Sequence, residues 1–355
     1  MQKKSIVKES IKFAGVFISV CIGSGFATGQ EIMQFFSSHG MERSIFSALT
    51  CMIILSYCGA KLLEIGNIGN LKSSNDIFTY LLGKTIGNLF KVFMPIFFLC
   101  SFVIMVSGAG TSINQYYGLN KEMGSLIMII LSLISVLIGM RKTIDILGNI
   151  GPMIIVVSLG IGFITIFRNY DNFINIESIV PTLNVIKAVD NWYLSGIIYS
   201  GLNIIMVAPF LVGTGAISKN KKSCILGGIL GGVLFMIACI VINLGILSDI
   251  KNMFTQEIPM LYMANKIGPI VGVLFSFILI AGIYTTAVPL LWSTCNSFFT
   301  EGSKGFKSTA FICCIIAFLG GKIPFSVLVN LIYPIYGVLG LIIIIGIFKK
   351  DIKGL

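Results

Sequence analysis

Ten apolar stretches recur along this chain, and a helix of about 20 such residues crosses the roughly 30 Å hydrocarbon core of a bilayer. They cover residues 11–36, 44–65, 89–114, 123–140, 144–167, 193–217, 223–247, 270–299, 308–320 and 325–348, the ninth being short. The charge content agrees: 11% of residues are charged and 56% hydrophobic, with one histidine among 355 residues, whereas soluble domains carry about 25% charged residues. The expected fold class is an all-α integral membrane protein of about ten transmembrane helices, forming a single domain over residues 1–355.

Lys3, Lys4 and Lys8 precede the first stretch as they would in a secretory signal peptide. The stretch is too long for one, no small-residue cleavage pattern follows, and nine more come after it, so it is expected to stay in the mature protein. Basic residues concentrate in cytoplasmic loops. With the amino terminus inside, the outer connections hold Arg43, Lys121, Arg168, Lys187, Lys251, Lys266 and Lys322, which leaves 18 of the 25 basic residues on the inner side. Both termini are then cytoplasmic. The net charge of +11 is spread over several short loops, which argues against nucleic acid as a partner and for anchoring against the anionic lipid of the bilayer. The nine cysteines show no zinc spacing, and most lie inside apolar stretches as small reduced core residues.

The first stretch carries Gly23-Ser24-Gly25-Phe26-Ala27-Thr28-Gly29 near its centre. Each glycine costs a helix roughly 1 kcal/mol relative to alanine, and unwound backbone at that depth survives only where it lines a cavity or binds something. A broken helix around a solute site is therefore expected here. Five stretches precede the long connection 168–191 and five follow it, so the second half enters from the opposite face, the layout of an inverted repeat over approximately 1–168 and 190–350. Counting about ten residues inward to the midplane from Lys12 reaches Ile22, and from Tyr193 reaches Asn203, beside Tyr199-Ser200-Gly201-Leu202. A second interruption is expected there, although close helix packing through glycine is the alternative.

The run Ile22-Gly23-Ser24-Gly25-Phe26-Ala27-Thr28-Gly29-Gln30-Glu31 resembles the first-helix signature of the YkvI-type bacterial membrane proteins. These look like members of the amino acid-polyamine-organocation superfamily with the LeuT fold, a 5+5 inverted repeat with discontinuous helices 1 and 6. The resemblance implies a bacterial cytoplasmic membrane location and a solute site supplied by helices 1 and 6. It also implies a sodium site between helices 1 and 8. On helix 8, Ala281-Gly282-Ile283-Tyr284-Thr285-Thr286 resembles the small-residue and hydroxyl motif of sodium-coupled relatives. The implied ligands are the hydroxyls of Thr285 and Thr286 with the backbone carbonyls of Ser19 and Ile22, an all-oxygen set suited to a hard cation. Threonines that bond back to their own helix are the alternative. In some proton-coupled relatives a lysine on helix 5 replaces the sodium; residues 144–167 contain none, which favours sodium. No other cofactor is expected.

A half-helix amino terminus after the break suits a carboxylate, and the freed carbonyls suit an ammonium group or sodium; an amino acid presents both charges. The residues expected nearest the solute are Gly23, Ser24, Gly25, Phe26, Tyr199, Ser200 and Asn203, with Phe26 and Tyr199 equally suited to ordinary packing. Glu31 is the outstanding ionisable group, since a carboxylate in a helix at the bilayer centre costs about 2.5 to 3.5 kcal/mol. It is expected to take up a proton, gate the outer vestibule or bind a substrate amine, or else to lie solvated near the outer surface with Arg43 or Lys322. His39 is expected to be an interface residue. Sodium-coupled symport of an amino acid or similar small zwitterionic or carboxylate solute is the expected function. The alternatives are a sensor of the same fold, resembling spore germinant-receptor subunits, and proton coupling through Glu31. A membrane enzyme is disfavoured because paired carboxylates, a histidine cluster and a nucleophile with its base are missing from the apolar stretches. The chain carries no phosphate-binding loop.

Overall fold

The computed structural model describes residues 2–69, 71, 73–139, 150–218 and 220–352. Lys72, Arg141, Lys142, Lys219 and Lys353, five of the inner basic residues, lie outside that set, as do the side chains of Lys3, Lys4 and Ser24. Among the described residues every regular element is helical. The first apolar stretch is in three pieces: α1 (Gln2–Cys21), α2 (Ser24–Thr28) and α3 (Gln30–Phe35). A 3-10 turn then leads into α4 (Met41–Ile68). There follow α5 (Ile77–Tyr117), α6 (Lys121–Ile138), α7 (Ile150–Arg168) and the short α8 (Ile176–Ile179). The remainder is α9 (Trp192–Ala216), α10 (Lys221–Ser248), α11 (Ile250–Met253), α12 (Pro259–Ile267), α13 (Pro269–Asn296), α14 (Lys304–Gly320) and α15 (Phe325–Ile352).

Helix starts follow the side chains available. The Asn191 side-chain oxygen accepts from the N–H groups of Tyr193 and Leu194, Asn120 and Asn220 do the same one residue inside their helices, and Ser303 accepts from Phe306. Proline opens α12 and α13, where its missing N–H leaves nothing unsatisfied.

Seven helices are long and apolar enough to cross a membrane, and an eighth arises if α7 and the segment 170–182, bent by 77°, count as one span. Two further expected stretches are present in other forms. The first is interrupted, and α14 has 17 residues. The core lies where α9 runs along α4 and α15, α10 along α4 and α1, and α5 along α13.

The interruption expected in the sixth stretch is absent, because α9 is one unbroken helix from Trp192 to Ala216. Two of the polar residues expected to open it bond within the helix: Ser200 Oγ donates to Gly196 O at 2.8 Å and Asn203 Nδ2 to Tyr199 O at 2.9 Å. Gly201 serves the crossing with α15 instead. A methyl group there would overlap Gly337 O, and one on Gly340 would overlap Gly201 O, so two backbones touch without side chains between them.

Candidate functional site

The break in the first segment falls at Ile22–Gly23. Gly23 is extended (φ −97°, ψ −171°) and caps α2, so Gly25, expected in the unwound part, lies inside a helical turn. A second break follows at Gly29, whose φ of 79° is a left-handed conformation that favours glycine. Between the two breaks α2 has five residues, and α3 begins at Gln30. Thr28 Oγ1 donates to Gly25 O at 2.9 Å and accepts from Gln30 N at 3.3 Å, covering backbone groups at the turn.

This double break brings three of the expected residues together. Glu31, only 6% exposed, turns back over α2. A methyl group on Gly25 would overlap its Oε2 and lie 3.0 Å from the Tyr333 ring, so the absence of a side chain at 25 is what admits the carboxyl. Its Oε1 accepts a hydrogen bond of 2.7 Å from Tyr199 Oη. Tyr199 is fully buried, its ring held between Phe35 and Phe36 at 5.2 and 5.0 Å, and its hydroxyl lies 3.9 Å from Cys239 Sγ.

The other expected residues are placed differently. Phe26 is buried against Phe235, ring centroids 5.7 Å apart, and serves packing. Ser200 and Asn203 spend their donors on their own helix. Thr285 and Thr286 both donate to Gly282 O, at 2.8 and 3.1 Å, leaving their oxygen lone pairs free to accept. Their helix α13 packs on α2, while α1 runs along α10 and α9 and leaves Ser19 exposed; Ile22 is buried and its N–H bonds Ile18 O at 3.0 Å.

Glu31 is not a solvated residue at the surface, and neither cation suggested for it is beside it. Lys322 pairs with Glu122 at 3.2 Å, Arg43 is exposed, and none of the ion pairs among the described residues includes Glu31. His39 is buried, in the 3-10 turn between α3 and α4. Loss of water holds its pKa down at about 4, with the positive charges of Lys187 and Arg43 adding to the effect.

Sequence reasoning does not reach the polar seal beyond α3. Gln34 Nε2 donates to Ser326 O at 2.8 Å, Ser195 Oγ to Phe35 O at 2.7 Å and Ala188 N to Gln34 O at 3.1 Å. Ser37 Oγ donates to Asn243 Oδ1 at 2.7 Å, and Glu257 accepts from Ser326 N and Oγ at 3.0 and 3.2 Å. Every residue from Gly25 to Gly40 is buried, so this segment is closed off from the face opposite the amino terminus. The spacing Glu31–Gln34, one helical turn, is the signal the sequence offers for it.

No family model matches the chain. It is 29% identical over 342 residues, 96% of this chain and 95% of its relative, to the uncharacterized membrane protein YkvI of Bacillus subtilis (strain 168). It is 22% identical to the uncharacterized protein YyaD of the same strain, over 95% of this chain and 96% of that one. In structure it resembles a mutant form of the Eremococcus coleocola manganese transporter, with a TM-score of 0.57 and 12% identity over 95% of this chain and 77% of that one. It also resembles Mhp1, a nucleobase-cation-symport-1 family transporter, with a TM-score of 0.51 and 12% identity over 91% of this chain and 74% of that one. The chain is a multi-pass membrane protein with the fold of membrane transporters.

Proposed function

We propose that the chain is a secondary active transporter for a small solute, bound beside the double break of the first segment and released by alternating access. The observation that carries this is the break itself: in a fold shared with transporters, it places a buried carboxyl, a tyrosine hydroxyl and a bare glycine together between hinges at Gly23 and Gly29. The solute class is an amino acid or a similar zwitterion or carboxylate, since the site offers an acid for an ammonium group and α2 offers backbone near the break. The LeuT-like 5+5 architecture, membership of the amino acid-polyamine-organocation superfamily and cytoplasmic termini belong to the same reading. Sodium is the proposed coupling ion, taken by the free lone pairs of Thr285 and Thr286 when α1 closes against α13.

Proton coupling through Glu31 is a second reading, favoured by the burial of that carboxyl in no ion pair among the described residues. Uptake of a radiolabelled amino-acid panel into proteoliposomes, with and without an inward sodium gradient, tests the proposal. Sodium-dependent accumulation is expected. Binding without accumulation would move the function to a sensor of the same fold.

A further inference from the structure

We propose that the Glu31 carboxyl is a single site occupied in turn by a proton and by a primary ammonium group, so that arrival of the ammonium expels one proton. The inference rests on the solute-binding reading above and adds the exchange step.

An ionised carboxylate buried without a partner is strongly disfavoured, so this group is neutralised in each resting state. Among the described residues, no side chain on the neighbouring elements does so. The titratable groups that face it or its tyrosine partner are Tyr199 on α9, Cys239 on α10, Cys21 on α1 and Cys51 on α4, and Tyr333 of α15 stands across Gly25; none is cationic. A proton or a solute cation must therefore supply the charge.

The hydrogen-bonding inventory selects the kind of cation. Tyr199 serves Glu31 Oε1. On the same short helix Gln30 Oε1 and Gln34 Oε1 are buried and receive no hydrogen bond, with Gln34 one turn beyond Glu31 and its amide nitrogen held on Ser326 O. Among the described residues, α3 thus carries two buried side-chain acceptors that receive no donor. A primary ammonium group carries three N–H donors and no acceptor, which matches that deficit better than a bare ion or a quaternary ammonium. The step balances: the protonated carboxyl gives up its O–H proton to solvent, and the carboxylate then pairs with R–NH3+, so one positive charge leaves as one arrives. The hinges at Gly23 and Gly29 allow α3 to move the carboxyl towards one face for loading.

The test uses the full chain purified in detergent, in weakly buffered solution with a pH indicator, titrated with ethylammonium chloride, tetramethylammonium chloride or sodium chloride. Where the carboxyl is protonated, ethylammonium is expected to release up to about one proton per protein, the amount falling as rising pH ionises the carboxyl. Tetramethylammonium and sodium are expected to release none. Glu31→Gln should abolish the release. Tyr199→Phe keeps the carboxyl but removes its donor, so it should keep the release and require several-fold more ethylammonium, a shift that simple damage to folding would not produce. No release at any pH, equal release from Glu31→Gln, or equal release by sodium would each overturn the exchange. Because no membrane is present, a protein that binds without transporting still releases the proton, so failure here is distinct from failure of the uptake experiment.

Discussion

Gly201→Ala should destabilise the protein through the crossing of α9 with α15. The added methyl would overlap Gly337 O and lie 3.0 Å from both Gly337 C and Leu341 N. Carbon contacts settle at about 3.5 to 4.0 Å, and these obstacles are backbone atoms of a second helix, so the two helix axes must part by roughly 1 Å or more. Overpacking of that kind costs about 1 to 3 kcal/mol, against a gain of roughly 1 kcal/mol from replacing glycine within a helix. A net loss of about 0 to 2 kcal/mol follows, and about 1 to 3 kcal/mol relative to a helical glycine whose replacement meets nothing. Thermal unfolding in detergent, read by a thiol-reactive dye, suits this chain because eight of its nine free cysteines are buried in the folded state. Gly160→Ala on α7 is the control, since nothing lies within 4 Å of the added methyl; it should be neutral or slightly stabilising. If Gly201→Ala melted with or above the control, the tight crossing would be wrong and an opened sixth segment would return as the better account.

Gly25→Ala should displace the Glu31 carboxyl and break its bond to Tyr199, which becomes charge-assisted when the solute cation replaces the proton and then contributes about 1.5 to 3 kcal/mol, corresponding to roughly 10- to 150-fold weaker solute binding in an equilibrium titration; unchanged affinity would remove Glu31 from the site. Thr285→Ala combined with Thr286→Ala should abolish the sodium dependence of uptake while leaving membrane insertion intact, and uptake that kept its sodium dependence would rule out the proposed ion site. His39 supplies a pH dependence. Its pKa is lowered to about 4 in the fold from about 6.5 in an unfolded chain, so between those values the unfolded state binds the proton and the fold does not. Stability is therefore full above about pH 6.5 and falls by about 3 kcal/mol as pH drops towards 4. Melting curves over that range should show the decline in the natural chain and a flatter profile in His39→Asn.

Legibility from sequence divides along a physical line. The apolar runs, the break near Gly23 and the weight placed on Glu31 are readable because a bilayer penalises unpaired backbone and buried charge so heavily that few other arrangements remain. The sixth segment misleads for the converse reason. Tyr199, Ser200, Gly201 and Asn203 have the composition of an opened helix, yet hydroxyl and amide donors can satisfy themselves on carbonyls four residues back, and glycine serves close packing as readily as unwinding. Which outcome prevails depends on what lies opposite, here the backbone of α15, and that is a long-range fact. The polar seal around Ser326 and Glu257 is illegible for the same reason, since its partners are separated by tens or hundreds of residues.

The two halves of the expected repeat therefore have unequal mechanical roles. α9 is fixed by backbone contact on several sides: a methyl on Gly196 would overlap Ser47 O of α4, one on Gly215 would overlap Leu63 O, and Gly201 meets α15. Moving α9 would disturb all of these crossings together. The segment α2–α3 is held by hydrogen bonds from Gln34, Ser195, Ala188 and Ser37 and by the burial of Phe26, Ile32, Phe35 and Phe36, with no backbone-on-backbone crossing among the described residues of the kind that Gly196, Gly201 and Gly215 make in α9. Glycines flank it where a hinge needs them, at Gly23 and Gly29. If the proposed transport exposes Glu31 to one face at a time, the first segment is expected to bend at these glycines against α4, α9 and α15. The carboxyl lies on the segment between the glycines and its tyrosine partner on α9, so under that proposal the Tyr199–Glu31 bond would report which position the segment holds.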